Sequence, residues 1–521
     1  MRGIEVKEYV KGPKELKVTD LPDPTPKNDE YLIQVHAAAT NFFDILQIQG
    51  KYQNQPPFPW VAGAEFAGIV LKTPAGAKSP KFPVGSRVFG ATQGAFATKC
   101  VAKEVSLLPV PEGWSFQAAA GLFVTAPTSY GALVVRAGIK KGDYVLIHAA
   151  AGGPYTQRSI HLDLLVLFYP IAPDTIYDST TANMRGIEVK EYVKGPKELK
   201  VTDLPDPTPK NDEYLIQVHA AATNFFDILQ IQGKYQNQPS FPWVAGAEFA
   251  GIVLKTPAGS KSPKFPVGSR VFGATQGAFA TKCVAKEVSL LPVPEGWSFQ
   301  AAAGLFVTAP TSYGALVVRA GIKKGDYVLI HAAAGGVGLA AVQVAKAFGA
   351  TVIATASTPR KREIALSYGA DHAIDTASKD WPQAVKALTP GKRGVDIVYD
   401  PVGAVDASTK CTAWNGRILF VGFAAGQIEK VAMNKVLLKN ISLVGIHWGQ
   451  YANHEPQTVG TVWDDIMQLV KDGKMRGTEF SDERYDGLER VPAALTALGS
   501  RGTWGKVVVK VPQEGEQKSK L

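Results

Sequence analysis

The chain reads as an α/β protein: a strand-rich domain followed by a doubly wound parallel sheet, with a partial duplicate of the strand-rich domain in front of both. Three observations predict this. Residues 1–153 recur at 184–336, changed only from Pro57 to Ser240 and from Ala77 to Ser260. From 184 to about 305, short β-rich runs alternate with Pro and Gly clusters, the texture of a small β domain. From about 308 to 444 the order becomes strand, glycine turn, helix, strand, which is βαβ arithmetic and therefore a parallel sheet covered by helices.

Taken in order, residues 1–153 form the truncated duplicate, which ends at Ala151, Gly152 and Gly153 and runs into Pro154. Its run at 144–147 is expected to be a strand without a βαβ partner, leaving an apolar edge and making this copy inert or destabilising. Residues 154–183 are a linker that resembles neither copy, and its apolar stretch at 162–169 is too short to span a membrane. The abrupt junction and the restart at Met184 point to read-through of non-coding sequence or fusion of a broken tandem gene. Residues 184–307 are the complete strand-rich domain, with runs at 214–219 and 251–254.

Residues 308–445 carry the parallel sheet. Tyr327, Val328, Leu329 and Ile330 make a buried strand, residues 332–338 the turn, and Leu339, Val342 and Ala345 the apolar face of a helix that Gly349 stops. Thr351 begins the next strand, and runs at 395–399 and 417–421 fit later ones. Residues 446–521 return to short elements, end in a strand at 506–510, and complete the strand-rich domain.

Composition sets limits on function. With 45% hydrophobic and 20% charged residues the chain is an ordinary globular protein. The net charge of +10 is scattered and partly counted twice through the repeat, so it does not point to nucleic acid. Cys100, its repeat Cys283, and Cys411 have no CxxC spacing, which supplies neither a disulfide framework nor a four-thiolate zinc site and fits a reducing compartment. No apolar run reaches the roughly 18–20 residues of a membrane span, and the residues after Met1 are expected to carry no secretory signal. Ser519, Lys520 and Leu521 match the peroxisomal import address; the expectation is peroxisomal protein bound by the import receptor, and cytoplasmic protein otherwise.

The chemistry centres on the loop Ala332 to Gly338. Gly335, Gly336, Val337 and Gly338 lie between a strand and a helix, where glycines let backbone N–H groups approach a pyrophosphate. An NAD site would present an acid to the adenosine ribose about twenty residues on. Here Ser357, Thr358, Pro359, Arg360 and Lys361 supply hydroxyls and two cations, which suits a 2′-phosphate and predicts NADPH.

At this point the chain resembles the zinc-independent quinone oxidoreductase branch, the zeta-crystallin group, of the medium-chain dehydrogenase/reductase superfamily. The markers are Asn224-Phe-Phe-Asp227, Gly233-Lys-Tyr235, Gly246-Ala-Glu248, Thr308, the loop 333–338, residues 394–400, and Gly505-Lys506. The resemblance implies a GroES-like catalytic domain built from both ends of residues 184–521, a Rossmann domain between them, and a homodimer. It implies that Asn224, Asp227, Tyr235 and Thr308 line the cleft around the nicotinamide, with Phe423 and Lys506 on the cofactor side. Zinc-dependent relatives carry a His before the glutamate; this chain has Ala247, and no metal is expected.

Two departures from the family pattern are Leu229, where many members have a second tyrosine, and the stretch near Thr376, where a family tyrosine that can cover the adenine side is replaced. The expected activity is hydride or electron transfer from NADPH to a small quinone or an α,β-unsaturated carbonyl. The alternatives are a peroxisomal enoyl-thioester reductase and a non-catalytic, crystallin-like protein that binds NADPH or RNA.

Overall fold

The structure is a computed structural model, and it describes residues 1–76, 79–140, 142–147, 182–260, 262–424, 426 and 428–513. The chain divides into two units, Met1–Tyr169 and Pro170–Leu521. The apolar stretch of the linker and the terminal tripeptide lie outside the described residues.

In the first unit, strands Val18–Asp20, Arg2–Val6 and Trp60–Val61 form a small antiparallel sheet, in that order. A second, five-stranded sheet runs Lys99–Lys103, Glu30–Ala39, Glu65–Lys72, Arg87–Ala91, Leu107–Pro109. Alternation along Glu30–Ala39 places Tyr31 and Ile33 in the core at 0% exposure, as period-2 geometry requires. The expected strand at 144–147 does not form; Tyr144 and Leu146 are 86% and 76% exposed. A parallel strand needs neighbours on both sides to bury its apolar face, and the first copy ends before supplying them.

The second unit repeats both sheets and then extends the larger one. Its larger sheet runs Leu290–Pro292, Arg270–Ala274, Glu248–Lys255, Glu213–Ala222, Val508–Lys510, Tyr485–Asp486, and Lys282–Lys286 also pairs with Glu213–Ala222. The C-terminal strands thus complete a sheet begun some 290 residues earlier: Ala220, Ala221 and Ala222 face Lys510, Val509 and Val508. Val507, Val509 and Val511 join Val218, Ala221 and Phe249 in one buried cluster.

Between these parts lies a six-stranded parallel sheet ordered His372–Asp375, Thr351–Ala356, Tyr327–Ile330, Val395–Asp400, Thr412–Phe420, Ser442–Gly445. In order of sequence this is 3-2-1-4-5-6, the dinucleotide-binding arrangement, whose ligand crevice opens where the order reverses beside the first strand. Helix Pro456–Lys471 buries Val462, Trp463 and Ile466 in the cluster that holds Val328, Ile330 and Val342 of the parallel sheet and its first helix. An amphipathic helix goes where its apolar stripe is covered, and here both domains contribute to the cover: Trp463 also packs on Phe272 and Phe306.

Candidate active site

The loop after strand Tyr327–Ile330 leads into helix Gly336–Ala347, with Gly335 at its N-cap. The backbone turns tightly: Ala332 takes φ 46°, and the Gly335 N–H donates to the Ala332 carbonyl at 2.8 Å. A Cβ on Gly338 would lie 2.4 Å from the Ala332 oxygen, so only glycine fits there, and one on Gly336 would lie 2.8 Å from Lys506 Cδ and would displace that side chain. The first-turn N–H groups of Gly336, Val337 and Gly338 have no backbone acceptor outside the helix among the described residues, which leaves a donor cluster at a positive helix end. These residues fit a dinucleotide pyrophosphate. The Ser312 hydroxyl donates to the Val337 carbonyl at 2.8 Å and accepts from the Tyr399 hydroxyl at 2.9 Å, tying helix Thr308–Tyr313 to the loop.

On the other side stands Asn224, the N-cap of helix Phe225–Ile231. Its N–H donates to Asp227 Oδ2 at 2.7 Å, and its side-chain amide donates to Glu248 Oε2 at 3.1 Å. Lys506 closes the cluster. Its ammonium donates to Asn224 Oδ1 at 2.7 Å, Glu248 Oε2 at 2.8 Å and the Thr223 carbonyl at 2.9 Å. Glu248 Oε1 accepts from the Val307 N–H at 2.8 Å, next to Thr308. Glu248 is 0% exposed and Lys506 4%. A charge pair this deep holds only because its lone pairs and protons are all engaged.

Asp227 is buried, its Oδ1 has no hydrogen-bond partner, and burial pushes its carboxyl up to about 7 against the pull of the Asn224 N–H and of Lys506. Tyr235 stacks on Phe226 at 5.4 Å between ring centroids. Its phenol is pushed up, first by burial and then by the Asp227 charge, and its hydroxyl makes no hydrogen bond among the described residues. The Thr308 hydroxyl donates to the Gly304 carbonyl at 2.8 Å, which leaves its lone pairs for an incoming N–H.

The structure therefore brings Asn224, Asp227 and Lys506 into one buried cluster, with Thr308 beside Gly336: the Thr308 methyl lies 3.1 Å from where a Gly336 Cβ would sit. Lys506, expected on the cofactor side, packs its stem on the loop and turns its ammonium to Glu248. The acceptors there are buried, and an unpaired carboxylate would cost more than a solvated phosphate contact returns.

The second strand of the sheet ends at exposed Ser357. Arg360 pairs with Asp482 at 3.2 Å and Lys361 donates to the Arg501 carbonyl at 2.6 Å. Burial, then the Arg501 charge, lowers the Lys361 ammonium. Phe423 is 44% exposed on the loop after Phe420. Sequence reasoning missed Glu248, Arg501, Ser312 and Tyr399 as site residues. Glu248 stood in a quoted marker and could have been paired with Lys506, whereas nothing local signals Arg501. Among the described residues no group of three His, Cys, Asp or Glu side chains could hold a metal, and no helix is long and apolar enough to cross a membrane.

A GroES-like domain joined to a 3-2-1-4-5-6 sheet, with a glycine loop facing a buried Asn–Glu–Lys cluster, defines a medium-chain dehydrogenase/reductase, an oxidoreductase class. The model of the alcohol dehydrogenase GroES-like domain matches residues 27–113 and again 210–296, and that of the zinc-binding dehydrogenase matches 336–466. The chain is 38% identical to a quinone oxidoreductase-like protein 2 homolog of Nematostella vectensis, over 57% of this chain and 81% of that one. It is 31% identical to the Homo sapiens quinone oxidoreductase, over 63% and 97%. The Escherichia coli quinone oxidoreductase, solved with NADPH, superposes with TM-score 0.56 at 28% identity, covering 63% of this chain and 99% of that one. The chain belongs to the quinone oxidoreductase family.

Proposed function

We propose that residues 184–521 form an NADPH-dependent reductase that passes hydride or electrons to a small quinone or to the β-carbon of an α,β-unsaturated carbonyl, without zinc. The observation that carries this reading is the reach of Lys506, whose stem lies on the phosphate loop and whose ammonium fixes Asn224, from the opposite domain, at 2.7 Å. NADPH, when bound, supplies the hydride. Gly335, Gly336, Val337 and Gly338 would hold its pyrophosphate, and Ser357, Arg360 and Lys361 its 2′-phosphate, with Phe423 beside the nucleotide.

The chain's own residues do the rest. Lys506 and Glu248 hold the Asn224 amide in one orientation, so it presents a fixed dipole to a carboxamide or carbonyl. Thr308 accepts an N–H. The unpartnered Tyr235 hydroxyl donates a hydrogen bond to oxygen as negative charge develops there, and the product's proton comes from solvent or from Tyr235, which solvent then reprotonates. Zinc independence is supported by the donor set: Ala247 brings no ligand, and Glu248 is already bonded to Lys506, Asn224 and Val307. We further propose a homodimer and, from residues 519–521, a peroxisomal location through the import receptor.

The test is NADPH consumption with an ortho-quinone and with a trans-2-enoyl-CoA in parallel. Faster turnover of the quinone supports the reading. Preference for the thioester turns it into an enoyl-thioester reductase, and tight NADPH binding without turnover of either refutes a reductase of these acceptors.

A further inference from the structure

The first unit carries a groove of about 590 Å³ lined by Arg2, Ile4, Val35, Ala37, Ala38 and Phe96 among others. In the second unit the same sequence is covered. Ala221, the counterpart of Ala38, is 0% exposed. The Thr223 N–H donates to the Val507 carbonyl and the Val511 N–H to the His219 carbonyl, both at 2.9 Å. Val491 and Leu495 close over the same core, which includes Ile228 at 8% exposure.

Among the described residues the first unit has every acceptor for this cover and no cover. Strand Lys99–Lys103 pairs with Glu30 to Gln34 only, so the edge at His36, Ala38 and Thr40 is unpaired and exposed. Ile45, counterpart of Ile228, is 36% exposed. The charge is incomplete as well. Glu65, counterpart of Glu248, is 1% exposed and is bonded by the Asn41 amide at 2.9 Å and the Val124 N–H at 2.7 Å. Among the described residues no cation lies within ion-pair reach of it. Glu248 has Lys506.

We propose that this groove is a strand-acceptor site whose occupant is the segment 505–511 of a second copy of this chain, with its Lys506 reaching Glu65. The groove fits an extended strand of alternating valines led by a lysine. The bonds that seat this strand on the catalytic domain of the second unit have their counterparts in the His36 carbonyl, the Thr40 N–H and carbonyl, Asn41 Oδ1 and Glu65, all within residues 1–153. Each chain thus has two acceptors for one strand. A finished second unit keeps its own strand, because the Gly505 N–H is also bonded to the Ala334 carbonyl at 2.7 Å in the nucleotide domain. Capture therefore acts on chains still folding, whose C-terminal strand is not yet seated, as in other exchanges of identical elements.

The test is refolding of the full chain at rising concentration, read by light scattering, for the native sequence and for Ala38→Asp. Ala38 is exposed in the first unit, so the variant leaves that unit folded while placing a charge where the strand's valines would lie. The expected result is a higher-mass species that grows with concentration and falls at least fivefold in Ala38→Asp. A peptide of residues 502–513 added in excess suppresses it, and the same peptide with Lys506→Met needs at least tenfold more. Equal mass distributions for the two chains, or a peptide that binds without such a species forming, would overturn the proposal.

Discussion

Lys506→Met removes the cation from a carboxylate that is 0% exposed. The methionine fills much of the space beside Gly304 and Gly336, so the loss is electrostatic rather than a cavity. Three donated bonds disappear, and Glu248 keeps only the Asn224 amide and the Val307 N–H. Breaking a buried pair in this way costs about 3–5 kcal/mol, a factor of roughly 10² to 10³ or more in the opening equilibrium. Unfolding of the whole chain is a poor readout because two units contribute. Hydrogen exchange of peptides from residues 337–513, which occur once in the chain, reports the second unit alone. Their protection is expected to fall at least a hundredfold at pH 8, and a change under tenfold would refute the view of Lys506 as the closure of this site.

Three further outcomes are expected. Gly338→Ala puts a Cβ 2.4 Å from the Ala332 oxygen, an overpacking cost of about 1–3 kcal/mol; calorimetric NADPH affinity should fall at least tenfold. Asp227, raised from 3.8 to about 7 by burial, contributes no penalty below 3.8, where the folded and unfolded forms are both protonated. The penalty grows as pH rises through this window and is complete above about 7. Hydrogen-exchange protection of peptides from residues 337–513 in Asp227→Asn relative to native protein should therefore improve from pH 4 to pH 8, by up to about 4 kcal/mol, and a flat difference would contradict the burial argument. Tyr235→Phe should lower kcat about tenfold with little change in NADPH affinity, as loss of a hydrogen bond to developing charge requires; unchanged kcat would remove Tyr235 from the reaction.

Much of the fold was legible because it is written locally. The alternation in Glu30–Ala39 and its repeat, the Gly335 to Gly338 turn and the strands beginning at Tyr327 and Thr351 each carry their own period or punctuation. What was not legible depends on distance along the chain. Nothing near Lys506 says that its charge is used 258 residues away on Glu248, and nothing near Arg501 says that its carbonyl receives Lys361. That helix Pro456–Lys471 packs in a cluster shared by both domains was illegible for the same reason: its apolar stripe names a need for cover but not which surface provides it.

The duplicate separates local folding from chemistry within one chain. In the first unit the Asn41 N–H donates to Asp44 Oδ2 at 2.7 Å, and Tyr52 stacks on Phe43 at 5.3 Å, close to the 2.7 Å and 5.4 Å of Asn224 and Tyr235. The motif forms without help. What it lacks is everything supplied from a distance: Lys506 on the glutamate, the strand against the open edge, and the continuation of the Gly153 loop into a nucleotide sheet. If catalysis requires that closure rather than the motif, Asn41→Ala leaves NADPH turnover unchanged, while Asn224→Ala lowers kcat about a hundredfold by freeing the carbonyl-orienting dipole. Equal losses from the two substitutions would mean that the first unit takes part in the reaction, and the assignment of the site to residues 184–521 would fall.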